Sequence, residues 1–377
     1  MSYSYVRNAW YVASWTHDLK PATPLGVHIL GERIVLWRNS SGVVTALEDR
    51  CVHRLAPLSL GRCEGEKLRC MYHGLLYDRA GNVIEIPGQA VIPPHAKVRN
   101  YPAVERHSWV WIWMGDAAAA DASLIPPAVG LDHPDYILGH GQLDYTAEAR
   151  LINDNLLDFS HLSYVHARSF GSSEAWAQEQ PRITPLARGV RVERWLTGEK
   201  GVPGQALSKP VNRYVRYDFL VPGVLLMAGG SFPEGTPQGL GDDAPDLATV
   251  GDGVTVTSQA VTPMTDRSAR YFFSWGPHRN HGDAALRDRL MGIADMAFGE
   301  DRRIIEAQQR VIDATPEPQI MPTGADRGVT MFNRLVARLV REESESVRAA
   351  APCHHRRLRA VWARTVGEYG MPQALHR

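Results

Sequence analysis

A chain of 377 residues is long enough for two domains or one large one, and its 44% hydrophobic and 22% charged residues are those of an ordinary globular protein. Its 41 basic and 41 acidic residues cancel, so nothing in the charge favours nucleic acid or an anionic membrane surface as a partner. No apolar run approaches the ~18 residues of a spanning helix, and the Tyr-rich N-terminus does not read as a signal peptide, which predicts a cytoplasmic protein.

Residues 1 to about 117 read as short strands separated by turn signals. Gly26 to Trp37, Val43 to Leu47, Gly74 to Asp78, Asn82 to Ile86 and Trp109 to Trp113 are β-rich runs, and Asn39-Ser40-Ser41-Gly42 and Arg79-Ala80-Gly81-Asn82 are hairpin-type turns. Between these strands lie Cys51-Val52-His53 and, sixteen residues on, Cys70-Met71-Tyr72-His73. Two thiolates and two imidazoles in that order fit a Rieske [2Fe–2S] centre, in which one iron takes Cys51 and Cys70 and the other takes His53 and His73. Neutral imidazoles in place of thiolates lower the cluster's negative charge and raise its potential, which suits an acceptor fed by a reductase or ferredoxin. A structural Cys2His2 zinc is the alternative, but zinc sites usually group a cysteine pair and then a histidine pair. The remaining cysteines, Cys63 and Cys353, make no disulfide framework and read as plain thiols.

A linker rich in Ala, Pro and Asp follows from Asp116 to Pro134. Beyond it the pattern mixes types. Residues 149 to 166 read as helix, Gly189 to Trp195, Arg213 to Leu220, Thr255 to Val261 and Ala269 to Trp275 as strands, and Ala284 to Ile312 as a long amphipathic helix. Within the first helix Asn155, Asp158 and His161 recur every three residues and share a face, while His166 falls five beyond His161 and aligns only if the helix loosens or ends. Two histidines and one carboxylate make the facial triad of non-heme Fe(II) oxygenases, which keeps positions open for O2. The Gly-, Asp- and Pro-rich stretch from Pro233 to Gly253 reads as a long loop, with an ordered cover over the site favoured over disorder. From Arg341 the chain becomes a charged, basic tail, and Cys353-His354-His355-Arg356-Arg357 is read as solvated rather than metal-binding, because consecutive ligands do not easily converge on one ion.

The two cluster motifs, the Asn-x-x-Asp-x-x-His-x-x-x-x-His segment and Arg7-Asn8-Ala9-Trp10-Tyr11-Val12-Ala13 together resemble the oxygenase component of Rieske non-heme iron oxygenases. Pro57-Leu58-Ser59, Tyr72-His73-Gly74-Leu75, Trp111-Ile112-Trp113, Pro233-Glu234-Gly235-Thr236-Pro237 and Tyr271-Phe272-Phe273 place the resemblance, from about residue 5 to about 335, in the branch holding vanillate O-demethylase, toluenesulfonate methyl-monooxygenase and dicamba O-demethylase. It implies an α+β chain: an all-β Rieske domain (1–117), a catalytic domain of antiparallel sheet and helices of helix-grip type (118–340), and a tail (341–377) with no assigned role. It also implies Asp301 as the third ligand of a mononuclear Fe2+ with His161 and His166, over the competitors Asp295 and Glu306. Asp158 is implied to carry electrons from His73 of one protomer to His161 of the next in a homotrimer, and Asn155 to lie near the iron. The implied activity is demethylation or monooxygenation of a small aromatic acid, with O2 as co-substrate and NAD(P)H acting through a flavin/iron-sulfur reductase or a ferredoxin. Gln259 and Arg270 are the sequence candidates to meet the substrate's carboxylate. A plain electron carrier, a ring-hydroxylating dioxygenase and a zinc-stapled structural protein are the competing readings; a carrier needs only the first ~120 residues.

Overall fold

The computed structural model describes residues 5–170, 172–199, 210–240, 244–247, 252–317 and 319–350. Its first part is built of short strands: β1 (Trp10–Trp15), β2 (Leu25–Ile29), β3 (Glu32–Arg38), β4 (Val44–Glu48), β5 (Arg62–Glu64), β6 (Lys67–Arg69), β7 (Leu76–Tyr77), β8 (Val83–Glu85), β9 (Asn100–Tyr101), β10 (Ala103–Arg106) and β11 (Trp109–Trp113). They form three small sheets ordered β1-β11-β10, β2-β3-β4-β9 and β5-β6-β7-β8. The run from Gly26 to Trp37 is two strands, not one. Leu30 and Gly31, with φ of 51° and 80°, take the left-handed conformations of a two-residue hairpin turn.

The second part opens with β12 (Gly139–Tyr145), then α1 (Ala149–Leu157), α2 (Leu162–Val165) and α3 (Ala175–Gln178). Then come β13 (Arg182–Leu186), β14 (Gly189–Glu199), β15 (Val211–Leu220), β16 (Val224–Phe232), α4 (Thr236–Leu240), β17 (Asp252–Thr265) and β18 (Ser268–Pro277). Two long helices, α5 (Ala284–Ala314) and α6 (Arg327–Ala350), close the described chain. The seven strands make one sheet in the order β12-β18-β17-β16-β15-β14-β13, every pair antiparallel. Among the described residues no helix is long and apolar enough to cross a membrane.

Alternation explains how the sheet is covered on both faces. On β18, Tyr271 and Phe273 meet the Phe298 ring of α5 at 5.1 and 4.7 Å between centroids, while Phe272 points the other way into a cluster with Trp10, Trp109, Trp111 and Trp113. The first part therefore packs on one face of the large sheet and α5 on the other. Two glycines of β12 let the α5 side close. A Cβ at Gly139 would stand 2.3 Å from Met291 Cγ, and one at Gly141 2.4 Å from the Phe273 ring.

Three expectations change in detail. The stretch from 149 to 166 is not one helix but α1, a 3-10 turn over Phe159–His161, and α2. The boundary expected at 340 falls inside α6, whose Glu343 carboxylate accepts the backbone N–H groups of Arg7 and Asn8 at 2.9 and 2.7 Å. In the expected loop, residues 236–240 form α4, whereas 241–243 and 248–251 lie outside the described residues, as does Cys353 to Arg357.

Candidate metal centres and active site

The two cysteine loops have the same backbone pattern. Cys51 N–H donates to Ala56 O and Cys70 N–H to Leu75 O, five residues on in both cases. Leu55 and Gly74, four residues on, donate back to the cysteine carbonyls and hold φ of 59° and 80°. The repeat places Cys51 and Cys70 in the interior and leaves His53 and His73 exposed, their rings 4.5 Å apart. Burial pushes the Cys70 thiol up, but the backbone N–H groups of Tyr72 and His73 favour the thiolate, and Tyr77 O–H donates to Cys51 Sγ at 3.2 Å. Thiols inside, imidazoles outside and donors aimed at sulfur fit a [2Fe–2S] cluster with its histidine iron toward the surface. A single zinc fits less well: among the described residues the one set of His, Cys, Asp or Glu atoms that converges on a single-ion geometry lies elsewhere.

That set is His161, His166 and Asp301, whose ligand atoms lie within 4.8 Å of one another. Asp158 causes the chain break that assembles it. Its carboxylate accepts Ser160 N–H at 2.9 Å, which pulls the residue to φ −122° and ψ 96°, ends α1 and caps the following 3-10 turn. His161 and His166 then flank the four-residue α2, and their rings come within 5.2 Å. Each imidazole has Nδ1 tied to an acceptor. His161 Nδ1 meets the Asp158 carbonyl oxygen at 2.6 Å and His166 Nδ1 meets Glu300 Oε2 at 2.9 Å. Both Nε2 atoms are thereby turned to Asp301 Oδ1, at 3.5 and 3.2 Å, with Asn155 Nδ2 beside them at 3.2 Å from Asp301 Oδ1.

Asp301 reaches the histidines because it stands on the buried stripe of α5, in line with Leu290, Ala294, Ala297 and Ile305. Asp295 is exposed, and Glu306 is engaged by Thr146 N–H at 2.9 Å. Burial pushes His161 down against the pull of Asp301, while His166 is also opposed by burial but ends raised by its bonds to Asp301 and Glu300. Two imidazole nitrogens and a carboxylate oxygen at the wall of a cavity are a donor set suited to a divalent iron with open positions. Ser169 O–H, also donating to Glu300 Oε2, braces the second acid at 2.6 Å.

The triad opens into a largely apolar cavity whose walls include Leu162, Phe170, Trp176, Met227 and Trp275. Gln259 lines it, its Nε2 donating to Thr257 Oγ1 at 3.1 Å and its Oε1 accepting from Tyr271 O–H at 2.7 Å. Arg270 does not reach it. One residue before Tyr271, it points to the opposite face of the sheet and forks onto Asp144 at 2.7 and 2.8 Å. Within the one chain His161 meets the main-chain oxygen of Asp158, while the Asp158 carboxylate accepts Ser160 N–H. Residue spacing did not single out Glu300, Ser169 and Tyr77, which carry the contacts above, nor Arg213, which lines the cavity.

The Rieske [2Fe-2S] domain family matches residues 9–102, and the vanillate O-demethylase oxygenase C-terminal domain family matches residues 145–342. The iron-sulfur subunit of the toluene-4-sulfonate monooxygenase system of Comamonas testosteroni is 35% identical over 350 residues, covering 90% of this chain and 98% of its own. The oxygenase subunit of vanillate O-demethylase from Pseudomonas sp. strain HR199 is 34% identical over 356 residues, covering 91% and 97%. Among solved structures, dicamba monooxygenase bound to 3,6-dichlorosalicylic acid superposes with a TM-score of 0.80 at 29% identity, over 93% of this chain and 100% of that one. Cluster loops, iron triad, fold and relatives agree, and the chain belongs to the Rieske non-heme iron oxygenases as an alpha subunit of the vanillate, toluenesulfonate and dicamba monooxygenase family.

Proposed function

We propose that this chain is the terminal oxygenase that O-demethylates or monooxygenates a small aromatic acid, with Cys51, His53, Cys70 and His73 holding the cluster and His161, His166 and Asp301 holding Fe2+. The observation that carries the reading is the His161-His166-Asp301 set at the wall of an apolar cavity, in a chain that also presents the paired cysteine loops. When bound, the cluster would supply single electrons and the iron would supply O2 activation, fed from NAD(P)H by a flavin/iron-sulfur reductase or a ferredoxin.

The protein's own residues do the rest. Glu300 and the Asp158 carbonyl hold the two imidazoles in the tautomer that frees Nε2, and the apolar wall keeps bulk water from the reacting carbon. Gln259 offers a buried amide to orient the ring. A methoxy carbon, once hydroxylated, is a hemiacetal that collapses to a phenol and formaldehyde, so demethylation asks for no hydrolytic machinery. Residues 1–117 would form the electron-accepting domain and the chain from 118 through α6 the catalytic one, in a cytoplasmic homotrimer.

The trimer is supported by two unlike patches. Leu55, Met71 and Tyr72 are exposed around the His53 and His73 rings, and Tyr164 and Ile304 are exposed beside the triad. One patch on each of two different faces is what a head-to-tail ring requires. The test is to supply purified protein with a reductase, NADH and O2 and to screen methoxybenzoates, toluenesulfonates and phenoxybenzoates. Formaldehyde or hydroxylated product from at least one is expected; none from any, with cluster and iron loaded, refutes the reading.

A further inference from the structure

Arg213 is the one lysine or arginine among the residues lining the cavity, and it makes no hydrogen bond or ion pair with another described residue. A cation half-buried without a partner is costly, since its lost hydration is not replaced. Glu199, also on the cavity wall, is its nearby negative charge, but that carboxylate accepts Ser173 O–H instead, at 2.5 Å. Among the described residues the guanidinium of Arg213, which lines the cavity, has no hydrogen-bond acceptor for its fork of donors.

The sheet register says where in the cavity that fork stands. Tyr217, Met227, Thr257 and Trp275 form one row across β15, β16, β17 and β18, and Arg213 lies four residues before Tyr217 on the same face. Asp301 sits on α5, which packs on β18 and β12, at the far side of the row. Three strand spacings, roughly 14 Å, separate β18 from β15. The cavity therefore has Asp301 of the metal triad on its α5 side and, on its β15 side, a guanidinium four residues along the strand from Tyr217 with no partner among the described residues, and mostly apolar wall between.

We propose that Arg213 is the anion anchor of the substrate site: it binds the carboxylate or sulfonate of an aromatic monoanion and so points the opposite, methyl- or methoxy-bearing end of the ring at the triad. This rests on the function proposed above and deepens it. Arg270, engaged with Asp144 on the other face, takes no part. Guanidinium recognises both oxyanions by the same bidentate geometry, so the site discriminates charge and length more than the identity of the acid.

The test uses iron-loaded protein, titrated calorimetrically with 4-methoxybenzoate and 4-toluenesulfonate and with their neutral amides, alongside turnover with reductase and NADH. Wild-type protein is expected to bind each anion about tenfold or more tightly than its amide. Arg213→Gln should bring that ratio within about twofold by weakening the anion alone, and Arg213→Lys, which restores the charge without the fork, should recover part of it. The amide's Kd and the cluster absorbance report on the fold of each variant. An unchanged ratio in Arg213→Gln, in an enzyme whose wild type turns the acids over, sinks the anchor and leaves the function standing. A Gln variant that loses anion and amide alike, with no recovery of anion preference in Arg213→Lys, also sinks it. Wild-type protein that neither prefers the anions nor turns them over sinks the anchor and the function together.

Discussion

Tyr77 shows how much one hydroxyl can set. It receives Val52 N–H at 3.0 Å and donates to Cys51 Sγ at 3.2 Å, so it is held in place on both sides. A hydrogen bond to a thiolate ligand stabilises the reduced, more negative cluster and raises its potential. Tyr77→Phe removes one bond to a charged group, worth roughly 1.5 kcal/mol, which for a one-electron couple is a fall of about 60 mV. A redox titration followed in the visible spectrum measures it, and an unmoved midpoint would mean the hydroxyl serves packing only. At the other centre, Asp301→Ala should leave the cluster colour, remove the mononuclear iron and abolish product. Glu306→Ala, which loses only the contact to Thr146 N–H, should keep both. Iron content per chain, falling from the cluster's pair plus one to the pair alone, reads the first outcome, and loss of that iron in Glu306→Ala instead would reverse the assignment.

At the scale of elements, the chain was most legible where alternation or helical period had no competitor. The runs Arg213 to Leu220, Thr255 to Val261 and Ala269 to Trp275 lie within β15, β17 and β18; the clearest is the last, where Ala269, Tyr271, Phe273 and Trp275 make one apolar face that a slip of one residue would expose. Spacing alone did not choose among Asp301, Asp295 and Glu306, and the family resemblance pointed to Asp301; the helix shows its place. Asp301 stands on the same stripe as Leu290, Ala294, Ala297 and Ile305, whereas Asp295 and Glu306 fall beside it. What hid was the break in the first helix, since an aspartate that abandons the helix to cap the next turn leaves the same spacing as one that stays. Arg213 and Arg270 hid for another reason. Both alternate with aromatic residues on strands, and only the sheet's layering tells which face looks into the cavity. Asp158 can be tested as an element device and as a conductor at once. Asn caps as well as Asp, so Asp158→Asn should keep the turn and both metals, while turnover falls by orders of magnitude if the charge links the centres. Metal analysis beside single-turnover kinetics separates the roles, and near-normal turnover removes Asp158 from the electron path.

The whole molecule raises the question of which cluster serves which iron. Among the described residues no hydrogen bond or ring contact joins His53 or His73 to His161 or His166, and the exposed patch at the cluster tip does not resemble the one beside the triad. In a head-to-tail ring each junction pairs the cluster of one protomer with the iron of the next, so a defect in either centre spoils one side of a junction, not a chain. Protomers carrying His73→Ala and protomers carrying Asp301→Ala should each be inactive alone. Co-expressed in equal amounts, they should place an intact cluster against an intact iron site at about one junction in four, and recover about a quarter of wild-type turnover per assembled ring. The reason is combinatorial: the donor must be the Asp301 variant and the acceptor the His73 variant. If electrons instead passed within one chain, every chain would lack one centre and no mixture would work. Rings isolated through two different affinity tags exclude the two inactive homotrimers and hold one such junction in three, so they should reach about a third of wild-type turnover; with their iron content measured, inactivity in rings shown to contain both protomers would reject the ring.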